Sequence, residues 1–534
     1  MRRRDWVDLA IVLGVWGAAI AFIRPRGEFP ILDDWDFAIA TWNFARTGHF
    51  HFTPFTAVSL RAMVLWGAAW TRLFGESFEV LRASTLTLAA ITIAVIHEIF
   101  RRAELPRFAR IVATLAFAFQ PIFLWSSCTY MTEVPFVCIS AIAFLLIWRG
   151  LANATALLVA LGSSAAILSC FIRQTGVINF AAPLIVAVVM RKNIRLTAIL
   201  VAAGAVIAAT FLIAPQWLSG SPTEFASHYK VWHESSFRLP EMFALADHYV
   251  VFNIQNAALF FLPLVVPLIF VARKHSNIEW MVAAGVVILW RVQRLVNMGI
   301  AMPYFAFASQ EDILQGNIFM DFGLGPPTVL DVWALVRPYP FHLTHIGKLI
   351  VTYLSVCAGA VMVGSLFKRR DLLFSLAVAL AGVGTAALVA SGLYTDRYSL
   401  DSAWSIGIAL ALIVPWEKKS ARIAAGVVLL VVATFSIFSI QEYFAWNRQR
   451  WAAYDSLRAR GVAVTDIDGG SEPTNLYEVS RMNRDDARRR TLYRPARRYV
   501  IAFGPLPGHV VVARYPFTGW LGLHRGALYL LRWR

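Results

Sequence analysis

The stretch FEVLRASTLTLAAITIAVIHEIFRRAELPRFAR, residues 78–110, decides the fold. Its first part, 78–99, holds enough consecutive apolar side chains to cross the ~30 Å hydrocarbon layer as a helix. It then runs into Arg101-Arg102, followed by Arg107 and Arg110, before the next apolar run begins. An apolar span closed by a short cationic connection is the signature of a helix ending at the cytoplasmic face of a bilayer.

The pattern repeats in both directions. Spans are expected at 6–23, 78–99, 108–125, 130–148, 154–172, 175–190, 196–215, 255–272, 279–296, 346–367, 372–392, 399–415 and 421–440, about thirteen in all. Of 534 residues, 58% are hydrophobic and 15% charged, with mean hydropathy +0.60. A water-soluble core cannot absorb so much apolar surface. The net charge of +17 would suggest a nucleic-acid partner in a soluble protein. Here the cations fall in the short connections and orient the chain instead, so no nucleic acid is implied.

Alternate connections carry Arg2-Arg3-Arg4, Arg101-Arg102, Arg149, Arg191-Lys192, Arg273-Lys274, Lys368-Arg369-Arg370 and Lys418-Lys419. All fall on one side, which the positive-inside rule makes cytoplasmic, so the N-terminus is inside and the C-terminus outside. The long connections 24–77, 216–254 and 297–345 and the tail from 441 then share the outer face. The apolar run after Met1-Arg2-Arg3-Arg4 is longer than a signal-peptide core and is expected to stay as an anchor. Within the first outer loop, 57–75 suits a helix lying in the interface, with Trp66 and Trp70 at headgroup depth.

After 441 the composition turns soluble: a helix over 441–460, a loop with Asp466-Ile467-Asp468-Gly469-Gly470, then strand-like runs at 499–503, 509–515 and 527–533. The expected fold class is an all-α polytopic membrane protein. Its membrane domain covers 1–440, and a small α+β non-cytoplasmic domain covers 441–534. Cys128, Cys138, Cys170 and Cys357 lack metal-ligand spacing and are read as packing residues, with no disulfide framework.

The chemically suggestive residues collect at outer span ends. Pro30-Ile31-Leu32-Asp33-Asp34-Trp35-Asp36-Phe37 sets three carboxylates in four positions. A plain structural reading makes the first Asp the cap of a following helix. A functional one makes Asp33 or Asp34 a general base, with Asp33 and Asp36 on one helix face and Asp34 elsewhere. Glu133 opens the fourth span, as a substrate-orienting acid or as a carboxylate snorkelling to water. Arg173 is a lone cation in a tight outer turn and suits a phosphate oxygen, as do Arg291 and Arg294. Tyr394, Asp396, Arg397 and Tyr398 form a further polar cluster. No His, Cys or carboxylate set has clear metal-ligand spacing, so no metal or other cofactor is demanded, although a divalent ion stays open. His49 and His51 read as loop residues.

Asp33-Asp34 after the first span, Met131-Thr132-Glu133, Arg173-Gln174-Thr175-Gly176 and Asp396-Arg397-Tyr398 together resemble the GT-C glycosyltransferases. The likeness is to the branch of protein O-mannosyltransferases, lipid A aminoarabinose transferases and RgtA-like enzymes. That resemblance implies transfer of a sugar, hexosyl or pentosyl, from a polyprenyl-phosphate donor to a glycan, lipid or protein acceptor. It implies a multi-pass bacterial inner-membrane protein with its site on the periplasmic side. Asp33 or Asp34 would be the catalytic carboxylate; Glu133, Arg173, Arg397, Tyr398 and Asp36 would bind substrate. Where the family more often has Asp-Glu, this chain has Asp-Asp followed by Asp36. The rival readings are a transporter or lipid flippase, which calls for ionisable groups near mid-span, and a non-catalytic assembly protein whose outer tail binds a partner.

Overall fold

A computed structural model describes residues 3–53, 56–218, 239–271, 275–302, 318–320, 323–329, 344–391, 394–478, 480 and 497–534. Arg2, Arg273-Lys274, Gly392 and most of the outer connections 216–254 and 297–345 lie outside the described residues.

Apolar runs in lipid must satisfy their own backbone groups, and every expected span is helical. Among the described residues, seven helices are long and apolar enough to cross a membrane: Arg3–Ile23, Phe78–Arg102, Glu133–Ala152, Ile194–Ile213, His345–Ser365, Leu372–Ala390 and Lys419–Ala459. Two expected spans are broken. Arg107–Ala118 and Pro121–Ser127 meet at 64°, where Pro121 cannot donate to the preceding turn and the Gln120 side chain caps Phe123 N at 2.9 Å. His248–Phe260 and Leu262–Phe270 meet at 78°, beside Pro263. Counting each bent pair as one span gives nine among the described residues. The other expected spans are shorter helices, such as Ala156–Cys170, or more charged ones, such as Asp396–Ile413. The chain is a multi-pass membrane protein.

Charge sorts the two ends of the bundle. At one, Asp8 pairs with Arg107 at 2.7 Å and Asp5 with Arg110 at 3.3 Å, tying the N-terminus to the connection after Arg102. At that end too, Lys418 Nζ donates to Phe270 O at 2.7 Å and Arg369 Nη1 to Leu412 O at 2.9 Å. At the other end the helices Asp34–Thr47 and Arg61–Phe74 lie side by side. Gly67 permits their approach: a Cβ there would sit 2.0 Å from Tyr130 Oη, which hydrogen-bonds Thr41 at 2.9 Å.

The expected span 421–440 and the helix after it are one 41-residue helix, Lys419–Ala459. No proline interrupts it, and at 1.5 Å per residue it is about 60 Å long, twice the hydrocarbon thickness. Its projecting part carries the tail. There Ile467–Asp468 pairs in parallel with Tyr499–Ala502, which pairs antiparallel with His524–Trp533, itself antiparallel to His509–Gly519. The sheet packs on the long helix through Trp446–Phe503 and Phe438–Trp520 ring contacts. Cys128, Cys138 and Cys170 are buried free thiols, whereas Cys357 is exposed on the apolar flank.

Candidate active site

The acidic motif does not use its first carboxylate as a cap. Asp33 occupies the N-cap position of Asp34–Thr47 but makes no side-chain cap hydrogen bond. Its side chain is 47% exposed, and Oδ2 lies 2.9 Å from Arg397 Nη2. Asp34 begins the helix, so its side chain swings about 100° away from its neighbour. It is fully buried, with Oδ1 accepting from Tyr130 N at 3.0 Å. Burial pushes its carboxyl up to about 7 against the opposing charge of Arg82. Asp36 turns back to the face of Asp33 and accepts from the Thr53 and Thr56 hydroxyls at 2.5 and 2.8 Å, fastening the following loop.

Arg173, Glu133 and Arg397 come from three separate elements. Glu133 opens its helix and is only 1% exposed, so it does not snorkel. Its Oε1 is 3.4 Å from Arg173 Nη1 and 3.9 Å from Arg397 Nε. Tyr398 lies beneath both cations, its ring centroid 4.8 Å from the Arg173 guanidinium carbon and 5.2 Å from that of Arg397. The shared quadrupole attraction brings the two like charges together.

These residues line one cavity of about 200 Å³, bounded by Asp33, Asp36, Glu133, Arg173, Arg397 and Tyr398. Asp34 does not line it. Among the described residues, buried Nε and Nη1 of Arg397 and Oε2 of Glu133 have no hydrogen-bond partner. Two guanidinium donors left unsatisfied at low dielectric are expensive unless an anion completes them. A carboxylate on one wall and convergent guanidinium groups on the other can accept a proton and bind an anion in the same cavity.

Asp396 faces away: its oxygens accept from Ile318 N at 2.8 Å and Phe319 N at 2.6 Å, at the start of the strand Phe319–Met320 that pairs with Gly323–Leu324. Phe319 also lines an apolar groove of about 550 Å³, with Pro121, Leu259, Phe260, Val432 and Phe435. Arg291 and Arg294 lie over Trp290 and do not line the cavity, and His49 and His51 are exposed loop residues. No group of His, Cys, Asp and Glu able to hold a metal occurs among the described residues.

The chain is similar to ArnT from Cupriavidus metallidurans in the apo state, with 12% identity over 99% of this chain and 98% of that one, TM-score 0.37. ArnT bound to undecaprenyl phosphate matches over the same shares with 14% identity and TM-score 0.39. The archaeal oligosaccharyltransferase AglB from Archaeoglobus fulgidus, in complex with an inhibitory peptide and a dolichol-phosphate, shares 16% identity over 86% of this chain and 52% of that one, TM-score 0.32. No family model and no curated protein matches the chain.

Sequence reading missed one member of the cluster. Asp401 is buried one helical turn beyond Arg397 and holds Arg173 Nη1 at 3.1 Å while accepting from Thr175 at 2.9 Å. The signal was present in the spacing: Arg397 and Asp401 are i,i+4 at the start of an otherwise apolar helix. Arg82 was likewise visible as a cation inside an apolar run, and it donates to the Gly27 carbonyl at 2.7 Å.

Proposed function

We propose that this protein is an inverting membrane glycosyltransferase that takes its sugar from a polyprenyl-phosphate donor at the non-cytoplasmic face of a bacterial inner membrane. In this reading all thirteen apolar helices cross the bilayer, with the N-terminus inside. The cationic end of the bundle is cytoplasmic and the cavity faces the periplasm. The observation that carries the reading is the convergence of Asp33, Glu133, Arg173 and Arg397 on one cavity, with buried Arg397 donors that lack hydrogen-bond partners among the described residues. Neither a transporter with mid-span charges nor an assembly protein requires that arrangement.

The donor's polyprenyl tail lies in the groove and its phosphate accepts from Arg397 Nε and Nη2. Asp33 is the base, a choice supported by its place on the cavity wall, whereas Asp34 is turned to Tyr130. The acceptor hydroxyl gives its proton to the Asp33 carboxylate while its oxygen bonds to the anomeric carbon. The bond from that carbon to the phosphate oxygen breaks, and the electron pair leaves with the phosphate toward Arg397 and Arg173. The phosphate also competes with Asp33 for Arg397, which releases the carboxylate from its 2.9 Å ion pair when donor is present. Glu133 holds Arg173 and orients the sugar through Oε2; Asp36 keeps the loop wall in place, and Tyr398 supports the cations.

The test is transfer from undecaprenyl-phosphate sugars, made in membranes from radiolabelled nucleotide sugars. Asp33→Asn is expected to lower the rate by roughly 10²–10⁴-fold, the usual loss for a general base. Full activity in Asp33→Asn removes Asp33 from the mechanism.

A further inference from the structure

The tail turn Asp466-Ile467-Asp468-Gly469-Gly470 has no part in the cavity, yet it meets three distant pieces of the chain. Glu472, just after it, is buried, and its Oε2 lies 2.6 Å from Arg450 Nη2 on the long helix. Its oxygens accept from Thr328 Oγ1 at 2.7 and 2.5 Å, and Oε1 also accepts from the backbone N of Leu32 at 3.3 Å. Arg450 donates on to Gly469 O at 2.5 Å. Gly470 has φ +97°, and a Cβ there would lie 2.3 Å from Arg450 Nη2 and 2.5 Å from Thr328 O, so the turn closes only around glycine.

Leu32 is the residue before Asp33, and its φ is +51°, a left-handed conformation that leucine rarely adopts without outside support. The segment leading to it is docked along the same helix. Phe29 stacks on Trp451 at 6.0 Å and 11°, and Arg448 Nη1 donates to Arg24 O at 3.1 Å. The direction in which Asp33 leaves the backbone is thus set by a turn whose amide is held from the far end of the chain.

We propose that Glu472, secured by Arg450, is a positioning residue for Asp33: it pins the left-handed Leu32 turn, so the C-terminal domain completes the site. This rests on Asp33 being the base. A shift of about an ångström in a reacting group costs on the order of a hundredfold in rate, whereas a pin outside the cavity leaves donor affinity alone.

The experiment uses the full-length protein with Glu472→Gln, which removes the charge, and Glu472→Asp, which keeps the charge but withdraws the carboxylate from Leu32. Transfer from undecaprenyl-phosphate sugars, binding of undecaprenyl phosphate and amide hydrogen exchange over 28–37 are read together with thermal stability. In both variants kcat is expected to fall at least about tenfold with KM and undecaprenyl phosphate affinity within about twofold, and the 28–37 amides to exchange faster. Rate, affinity and exchange are read per folded molecule, well below each variant's melting temperature, which separates pinning from folding. Unchanged kcat per folded molecule, or unchanged exchange over 28–37, in Glu472→Asp overturns the proposal. If Asp33→Asn proves fully active, the base assignment fails by itself, and the exchange data still decide whether Glu472 holds the turn.

Discussion

Arg397→Lys isolates the anion clamp from the charge that it carries. The guanidinium uses Nη2 on Asp33 at 2.9 Å and leaves buried Nε and Nη1 without hydrogen-bond partners among the described residues. In the proposed complex Nε and Nη2 donate side by side to one phosphate, which displaces Asp33 from Nη2. An ammonium at the same place keeps the charge but loses the fork, so one of two charge-assisted bonds is lost, about 1.5–3 kcal/mol. At 1.4 kcal/mol per decade, undecaprenyl phosphate should bind about 10- to 100-fold more weakly. Native mass spectrometry of the detergent-solubilised protein measures this, with undecaprenol as the uncharged control. The alcohol keeps the groove contacts and should bind equally well to both proteins. Phosphate affinity within about twofold of wild type, or an equal loss for undecaprenol, would refute the two-donor clamp.

Two further perturbations follow from the same geometry. Asp34 titrates near pH 7 in the folded protein against 3.8 in the unfolded chain, so the folded state binds the extra proton and stability declines as pH rises from about 4 to 7. The span corresponds to at most about 4 kcal/mol, and Asp34→Asn should flatten it: melting temperatures of wild type should fall across that window while those of the variant do not. A parallel decline in both proteins would place the titrating group elsewhere. Asp401→Asn keeps the Thr175 bond but removes the charge beside Arg173; it should cost roughly 2–4 kcal/mol in thermal unfolding and slow transfer, with Asp401→Glu restoring part of both. A wild-type melting point and rate in Asp401→Asn would show that Glu133 alone suffices to hold Arg173.

Legibility in the sequence followed the range of the interaction. Helices at all the expected spans could be read locally, because lipid leaves a long apolar run one way to satisfy its backbone. The strands at 499–502, 509–519 and 524–533 were visible from alternation and β-branched content. The bend at Pro121 inside the expected span 108–125 was not anticipated, and its 64° depends on what the two segments pack against. The fusion of 421–440 with the following helix escaped notice because a change from apolar to polar composition changes solvent, not backbone geometry.

The same division holds at the site. By itself the sequence determined the membrane class, the clustering of cations at one end, and a short list of polar residues of which Asp33, Asp36, Glu133, Arg173, Arg397 and Tyr398 line the cavity and Asp34 does not. Tertiary structure alone decided which of two adjacent carboxylates faces that cavity, and it did so through a left-handed Leu32 and the onset of a helix at Asp34. It also decided that Asp401 holds Arg173 across 228 positions and that Glu472 reaches Leu32 across 440. Composition and periodicity report the solvent each segment prefers, which is a local property. A side chain's partner is set by where the whole chain brings other elements, and no window of sequence contains that.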